Sequence, residues 1–243
     1  MATKQIILNK NLIVNIRILV KHDTEEILQE TIKTLKKCVK YLSIKSNLSI
    51  TIRPTRNLFV KNKLCGIAGY TPQKDKIILS VYPQTKNWKK IFPITLVHEY
   101  NHALAFHYYP NPKTAKFKLI HGIISEGIAD NFVEKVIGKT APWVSKNSFK
   151  IYKKYFPEIK NLLDRKNMDV YNKIFLGEGK YPLWIGYAIG DYIVKNFLNQ
   201  NPKLKWDKII QLSPREIWRE SKILKSDCNK IVLRSSCTVE KNH

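Results

Sequence analysis

The chain has no run of roughly 18 apolar residues, so no segment reads as a membrane-spanning helix. A small-residue cleavage site is missing as well. The apolar stretch from Leu12 to Val20 is broken by Asn15 and Arg17, and no signal peptide is expected. Cysteine is scarce and scattered: Cys38, Cys65, Cys228 and Cys237 show no paired metal-binding spacing. In a chain of 243 residues without a secretion signal, reduced thiols and a cytoplasmic location are expected. Repeats, low-complexity linkers, zinc ribbons, RNA-binding sheet motifs and long basic blocks are all absent from the sequence.

Negative charge is also in short supply. There are 19 Asp and Glu against 43 Lys and Arg, a formal net charge of +24. Yet Arg itself is rare, at positions 17, 53, 56, 165, 215, 219 and 234 only. Arg is the residue suited to bidentate phosphate recognition. Lys spread evenly among abundant Asn and Ile reads as compositional bias. No dedicated nucleic-acid partner is expected, while nonspecific affinity for polyanions at low salt is.

What is present centres on His98-Glu99-Tyr100-Asn101-His102. On a helix, residues four apart lie about 40° apart around the axis. His98 and His102 then aim two imidazoles at one point, as two ligands of a tetrahedral zinc require. Glu99 flanks that point and is placed to deprotonate a water activated by the metal. Ile94, Leu96, Val97, Ala103, Leu104 and Phe106 surround the motif, so the helix is mostly buried, and buried His and Glu need partners. A second acidic motif follows, Ser125-Glu126-Gly127-Ile128-Ala129-Asp130. Glu126 comes far enough after His102 for one helix to end and a second to return beside it. It is the expected third zinc ligand. Asp130, one turn on, is placed to accept the Nδ1–H of a ligand His.

These residues resemble the gluzincin pattern of thermolysin-like metallopeptidases. A longer stretch, roughly residues 60 to 220, is similar to a bacterial family of predicted Zn-dependent proteases, the YjaZ-like proteins. That similarity rests on Gly66-Ile67-Ala68-Gly69-Tyr70, on Ile77-Ile78-Leu79-Ser80-Val81, on the His98 motif, on Glu126-Gly127-Ile128-Ala129 and on residues 182–190. The resemblance implies a zinc peptidase acting on peptide or protein substrates. It also implies an edge strand beside the active helix that binds extended substrate, here Ile77, Ile78, Leu79, Ser80 and Val81. Such enzymes add a Tyr or His donor at the developing oxyanion, and Tyr187 is the candidate, with core packing as its competing role. Trp184 and Asp191 carry the same ambiguity.

Two rival ligand sets compete with this one. The metzincin pattern requires a His at position 108, which is Tyr108; His107 falls one residue short. DNA-associated SprT-like proteases take a third ligand from a later His-Gly, and His121-Gly122 is such a pair. His121 and Glu126 are five apart, about 140° around a helix, so both cannot easily face one metal. A zinc-containing binding or chaperone-like module with little turnover is a further alternative.

The remaining sequence reads as an α+β fold, with N-terminal strands and a helix forming a small mixed sheet. A mostly helical part follows, with the zinc site on two adjacent helices. Leu12, Val14 and Ile16 alternate as a strand, and so do Leu48, Ile50 and Ile52. Asp23-Thr24-Glu25-Glu26 looks like a capping-box start for a helix with Leu28, Ile32, Leu35, Val39 and Leu42 inward. Residues 66–82 read as a hairpin turning near Pro72-Gln73-Lys74-Asp75. Helices are expected at about 88–109, 116–137, 147–164, 182–199 and 214–224. One catalytic domain is expected over 1–226, α/β to about 110 and helical beyond, with a tail at 227–243.

Overall fold

A computed structural model describes residues 2–82, 88–109 and 117–222. Cys228, Cys237 and the expected tail lie outside the described residues. Five strands form one mixed sheet: β1 (Ala2–Asn9), β2 (Leu12–Ile18), β3 (Ser46–Pro54), β4 (Ile67–Gln73) and β5 (Lys76–Val81), in the order β1-β2-β3-β5-β4. β2 runs parallel to β3 and β3 to β5, while β1 and β4 pair antiparallel at the two edges. Alternation explains the register. Val14, Ile16 and Ile18 stand opposite Leu48, Ile50 and Ile52, and Ile50 and Ile52 stand opposite Ile77 and Leu79. These side chains form one fully buried face, because a one-residue slip would turn every one of them to the other side.

The sheet topology corrects one expectation. Residues 77–81 are not an edge strand: β5 is hydrogen-bonded to β3 on one side and β4 on the other. A strand paired along both sides cannot accept a third partner. The edge on that side of the sheet is β4, and Pro72 within it fits that position, since Pro cannot donate to a ladder.

Two helices cover the buried face. They are α1 (Thr24–Cys38), against β1 and β2, and α3 (Trp88–Ala105), against β4 and β5. The helical half follows, with α4 (Leu119–Ile137) on α3, α7 (Ile185–Gln200) on α4, and α5 (Ser148–Ile159) on α7. Short helices α2 (Leu58–Lys63), α6 (Met168–Asn172), α8 (Trp206–Ile209) and α9 (Pro214–Glu220) complete the chain. A continuous apolar core joins sheet and helices, from Leu12 through Leu104 and Ile128 to Ile217. No helix among the described residues is long and apolar enough to cross a membrane.

Local signals differ in how they are used. Ser213 and Glu216 form a capping box at α9, and Gly138, with φ of 73°, ends α4. Asp23 does not cap α1. It adopts a left-handed conformation with φ of 57° and makes no side-chain cap bond, while the Thr24 hydroxyl donates back to the Val20 carbonyl. β1 carries no alternation in its sequence, because Thr3, Lys4 and Gln5 are all exposed on an edge.

α4 and α7 meet backbone to backbone. A Cβ on Gly190 would lie 2.1 Å from the Ile123 carbonyl oxygen, and one on Gly127 would lie 2.3 Å from that of Gly190. Gly190→Ala therefore forces the two helices apart. A stability loss of about 3 kcal/mol, the upper end for overpacking, is expected in urea unfolding. An unchanged midpoint would show that the crossing is looser than this.

Candidate metal centre

α3 is buried on nearly all sides from Phe92 to Ala105, so its polar residues must be satisfied from within the protein. His98 and His102 project one turn apart toward α4, and their Nε2 atoms lie 3.0 Å from each other. Glu126 enters from α4, its Oε2 3.0 Å from His98 Nε2 and 3.2 Å from His102 Nε2. These three residues are a group able to hold a metal ion among the described residues. A tetrahedral ion with bonds of about 2.0–2.1 Å separates its ligand atoms by about 3.3–3.4 Å, close to this triangle.

The far sides of both rings decide what this triangle is for. His98 Nδ1 lies 3.0 Å from Asp130 Oδ1, an acceptor, and His102 Nδ1 lies 3.1 Å from the Ser125 hydroxyl. With hydrogens on both Nδ1 atoms, the Nε2 lone pairs and a carboxylate oxygen point at one another. Three electron-rich atoms packed this closely in a buried cleft call for a cation. Two imidazoles and a carboxylate are also a donor set that suits zinc, so the residues fit that ion.

The electrostatics agree. Burial opposes charge on His98, but the carboxylates of Asp130 and Glu126 outweigh it and hold its pKa well above the usual imidazole range. Burial likewise opposes ionisation of Glu126, and His102 and His98 more than offset it, keeping the carboxyl far below the usual range. Burial raises the pKa of Asp130, with the nearby His98 only partly offsetting it. The cleft is thus built to stabilise positive charge where the three atoms meet.

Around the triangle is a cavity of about 590 Å³. Glu99 enters it from α3 and is held by β4. The Thr71 hydroxyl donates to Glu99 Oε2 at 2.6 Å, and a Cβ on Gly69 would lie 2.3 Å from Glu99 Cγ. Gly69 is therefore the seat of the Glu99 side chain. On the opposite wall, Tyr187 tilts over His98 with ring centroids 6.4 Å apart. Burial and then the nearby Glu126 push its phenol well above the ordinary tyrosine range, so it stays a hydrogen-bond donor. Tyr171 of α6 lines the same wall, packed on Gly122 and stacked on Phe175 at 4.2 Å. The Phe175 ring fills the space that a Cβ on Gly186 would occupy.

Other candidates lie elsewhere. His121 caps α4, its Nδ1 accepting from the Lys118 backbone N–H at 2.8 Å, and it does not line the cavity. Asp191 accepts from Asn131 between α4 and α7, and Trp184 is the left-handed N-cap of α7. Ile77 to Val81 lie one strand in from the cavity, whose wall is formed by Gly69, Tyr70, Thr71 and Pro72. Sequence reasoning did not assign roles to Gly69, Thr71, Ser125, Trp143 or Tyr171. Only the Gly66-to-Tyr70 motif and the residue before Glu126 carried a signal that pointed their way.

If Glu126 completes the donor set, Glu126→Ala weakens zinc by far more than the ~10–100-fold lost with an outer hydrogen-bond partner. His121→Ala leaves affinity unchanged. Chelator competition at a single pH checks both, because ligand protonation competes with the metal. The reverse pattern would move the third ligand to His121.

No curated protein matches the chain. Over residues 24–219 it matches the family described as predicted Zn-dependent protease (DUF2268), in line with the resemblance to YjaZ-like proteins. With most of its length covered by that match, from the start of α1 to the last turn of α9, the chain belongs to this family of predicted zinc proteases.

Proposed function

We propose that this protein is a zinc-dependent peptidase of gluzincin type, with His98, His102 and Glu126 holding the ion. The observation that carries the reading is the convergence of these three side chains at about 3 Å in a cleft that also contains Glu99. Family membership supports it. When bound, zinc would act as a Lewis acid and lower the pKa of water toward neutrality.

The other steps belong to the chain's own residues. Glu99 acts as general base, taking a proton from water and returning it to the leaving amine. Thr71 holds one Glu99 oxygen, leaving Oε1 for the proton. Tyr187 donates to the oxyanion that builds on the attacked carbonyl, where a placed donor strengthens as charge develops. Asp130 accepts from His98 Nδ1 and fixes which nitrogen faces the metal. An extended substrate pairs along β4, the edge strand that borders the cleft, by strand addition. Water is the nucleophile, so no acyl-enzyme forms.

Two variants test the division of labour. Glu99→Gln keeps zinc and loses peptide hydrolysis by at least about 10²–10⁴-fold. Gly69→Ala, which displaces Glu99 without touching a ligand, keeps zinc and is similarly impaired. Both are read by metal content beside turnover of an unstructured protein substrate. Wild-type rates in the Gln variant would rule out this mechanism. A wild-type protein that binds zinc and shows no turnover would instead support the binding-module alternative.

A further inference from the structure

The connection between α4 and α5, residues 138–147, carries one residue that reaches the metal centre. A turn closed by the Val144 N–H on the Ala141 carbonyl, with both residues buried, sets Trp143 at its corner. Trp143 is itself 8% exposed. Its indole Nε1–H donates to Asp130 Oδ1 at 2.9 Å. The same oxygen lies 3.0 Å from His98 Nδ1. The indole also stands edge-on to the His98 ring, centroids 5.2 Å apart at 85°.

We propose that Trp143 is a positioning residue of the metal centre, fixing Asp130 and through it the imidazole of His98. The proposal rests on the zinc-site reading given above. Asp130 Oδ2 is buried with no hydrogen-bond partner among the described residues. The direction of the carboxylate is therefore set by the two donors at Oδ1. One of them, His98, is the group to be oriented. Trp143 is the anchor from outside the ligand set, and its bond to a carboxylate is charge-assisted and directional. The contrast with buried Trp206 and partly buried Trp218 is informative. The Nε1 atoms of Trp206 and Trp218 have no partner among the described residues, so packing alone accounts for those rings. Trp143 adds an N–H aimed at the atom that orients a ligand.

Zinc affinity, measured by chelator competition on the full chain, tests this without relying on turnover. Trp143→Phe keeps an aromatic ring and removes the donor. It is expected to bind zinc about 10–100-fold more weakly, as loss of an outer partner does, with the thermal midpoint recorded alongside. Asp130→Asn gives a loss of the same order. The double variant is expected to be no weaker than Asp130→Asn alone, because Trp143 acts through Asp130. A structural role would make the two losses multiply, and that result overturns the proposal, as does wild-type affinity in Trp143→Phe. If Trp143→Phe fails to fold, benzothienylalanine at position 143, with sulfur in place of the N–H and nearly the same shape, gives the same comparison. Failure of the unaltered protein to bind zinc would refute the metal site itself. Tight binding by the unaltered protein and the variant alike would refute only the role of Trp143.

Discussion

Two imidazole nitrogens and a carboxylate oxygen held 3.0–3.2 Å apart in a buried cleft are the constraint on which the site depends. Left to themselves, such groups separate or turn to solvent. They stay because α3 and α4 are buried, and because each ring is gripped from behind, His98 by Asp130 and His102 by Ser125. The grips differ in kind. A carboxylate behind His98 raises the basicity of that ring more than a hydroxyl does behind His102, so the two imidazoles are not equivalent donors.

Each wall of the cleft comes from a different layer of the fold. His98, His102 and Glu126 come from the α3/α4 pair. The restraint on Glu99 comes from the sheet, through Thr71 and Gly69 on β4. The phenols of Tyr187 and Tyr171 come from α7 and α6. The close crossing at Gly127 and Gly190 brings α7 near enough for Tyr187 to overlook His98. Sheet, helix pair and outer helices must all be in place before the cleft exists, which is why one apolar core runs through all three.

The spacing of His98 and His102 was legible because a helix turns that separation into a shared face. Glu126 and Asp130 were legible for the same reason, once the intervening length allowed α4 to return beside α3. β2 and β3 were legible from alternation at Leu12, Leu48 and their neighbours, and β4 and β5 as a hairpin. Hairpin orientation was not: apolar alternation says which face is buried and nothing about which strand lies outside. Pro72 narrowed the choice, since Pro is confined to edge strands, strand ends and bulges. Tyr171 and Trp143 were invisible for another reason. They sit on a five-residue helix and on a turn, elements too short for periodicity, and tertiary packing alone brings them to the site.

The seat of Glu99 on Gly69 bears on how the cleft can be varied. Position 69 admits a hydrogen atom and nothing larger while Glu99 keeps its place, and position 71 is tied to the same carboxylate by its hydroxyl. Two of the four strand positions that line the cleft, 69 and 71, are thus committed to holding the Glu99 side chain. Any retuning of the lining of the cleft, by evolution or by design, falls to the alternate positions Tyr70 and Pro72 and to Phe106, Phe117 and Met168 elsewhere around it. The lining of the cleft and the hold on Glu99 are written on alternate residues of one short strand, so the first can vary while the second stays fixed.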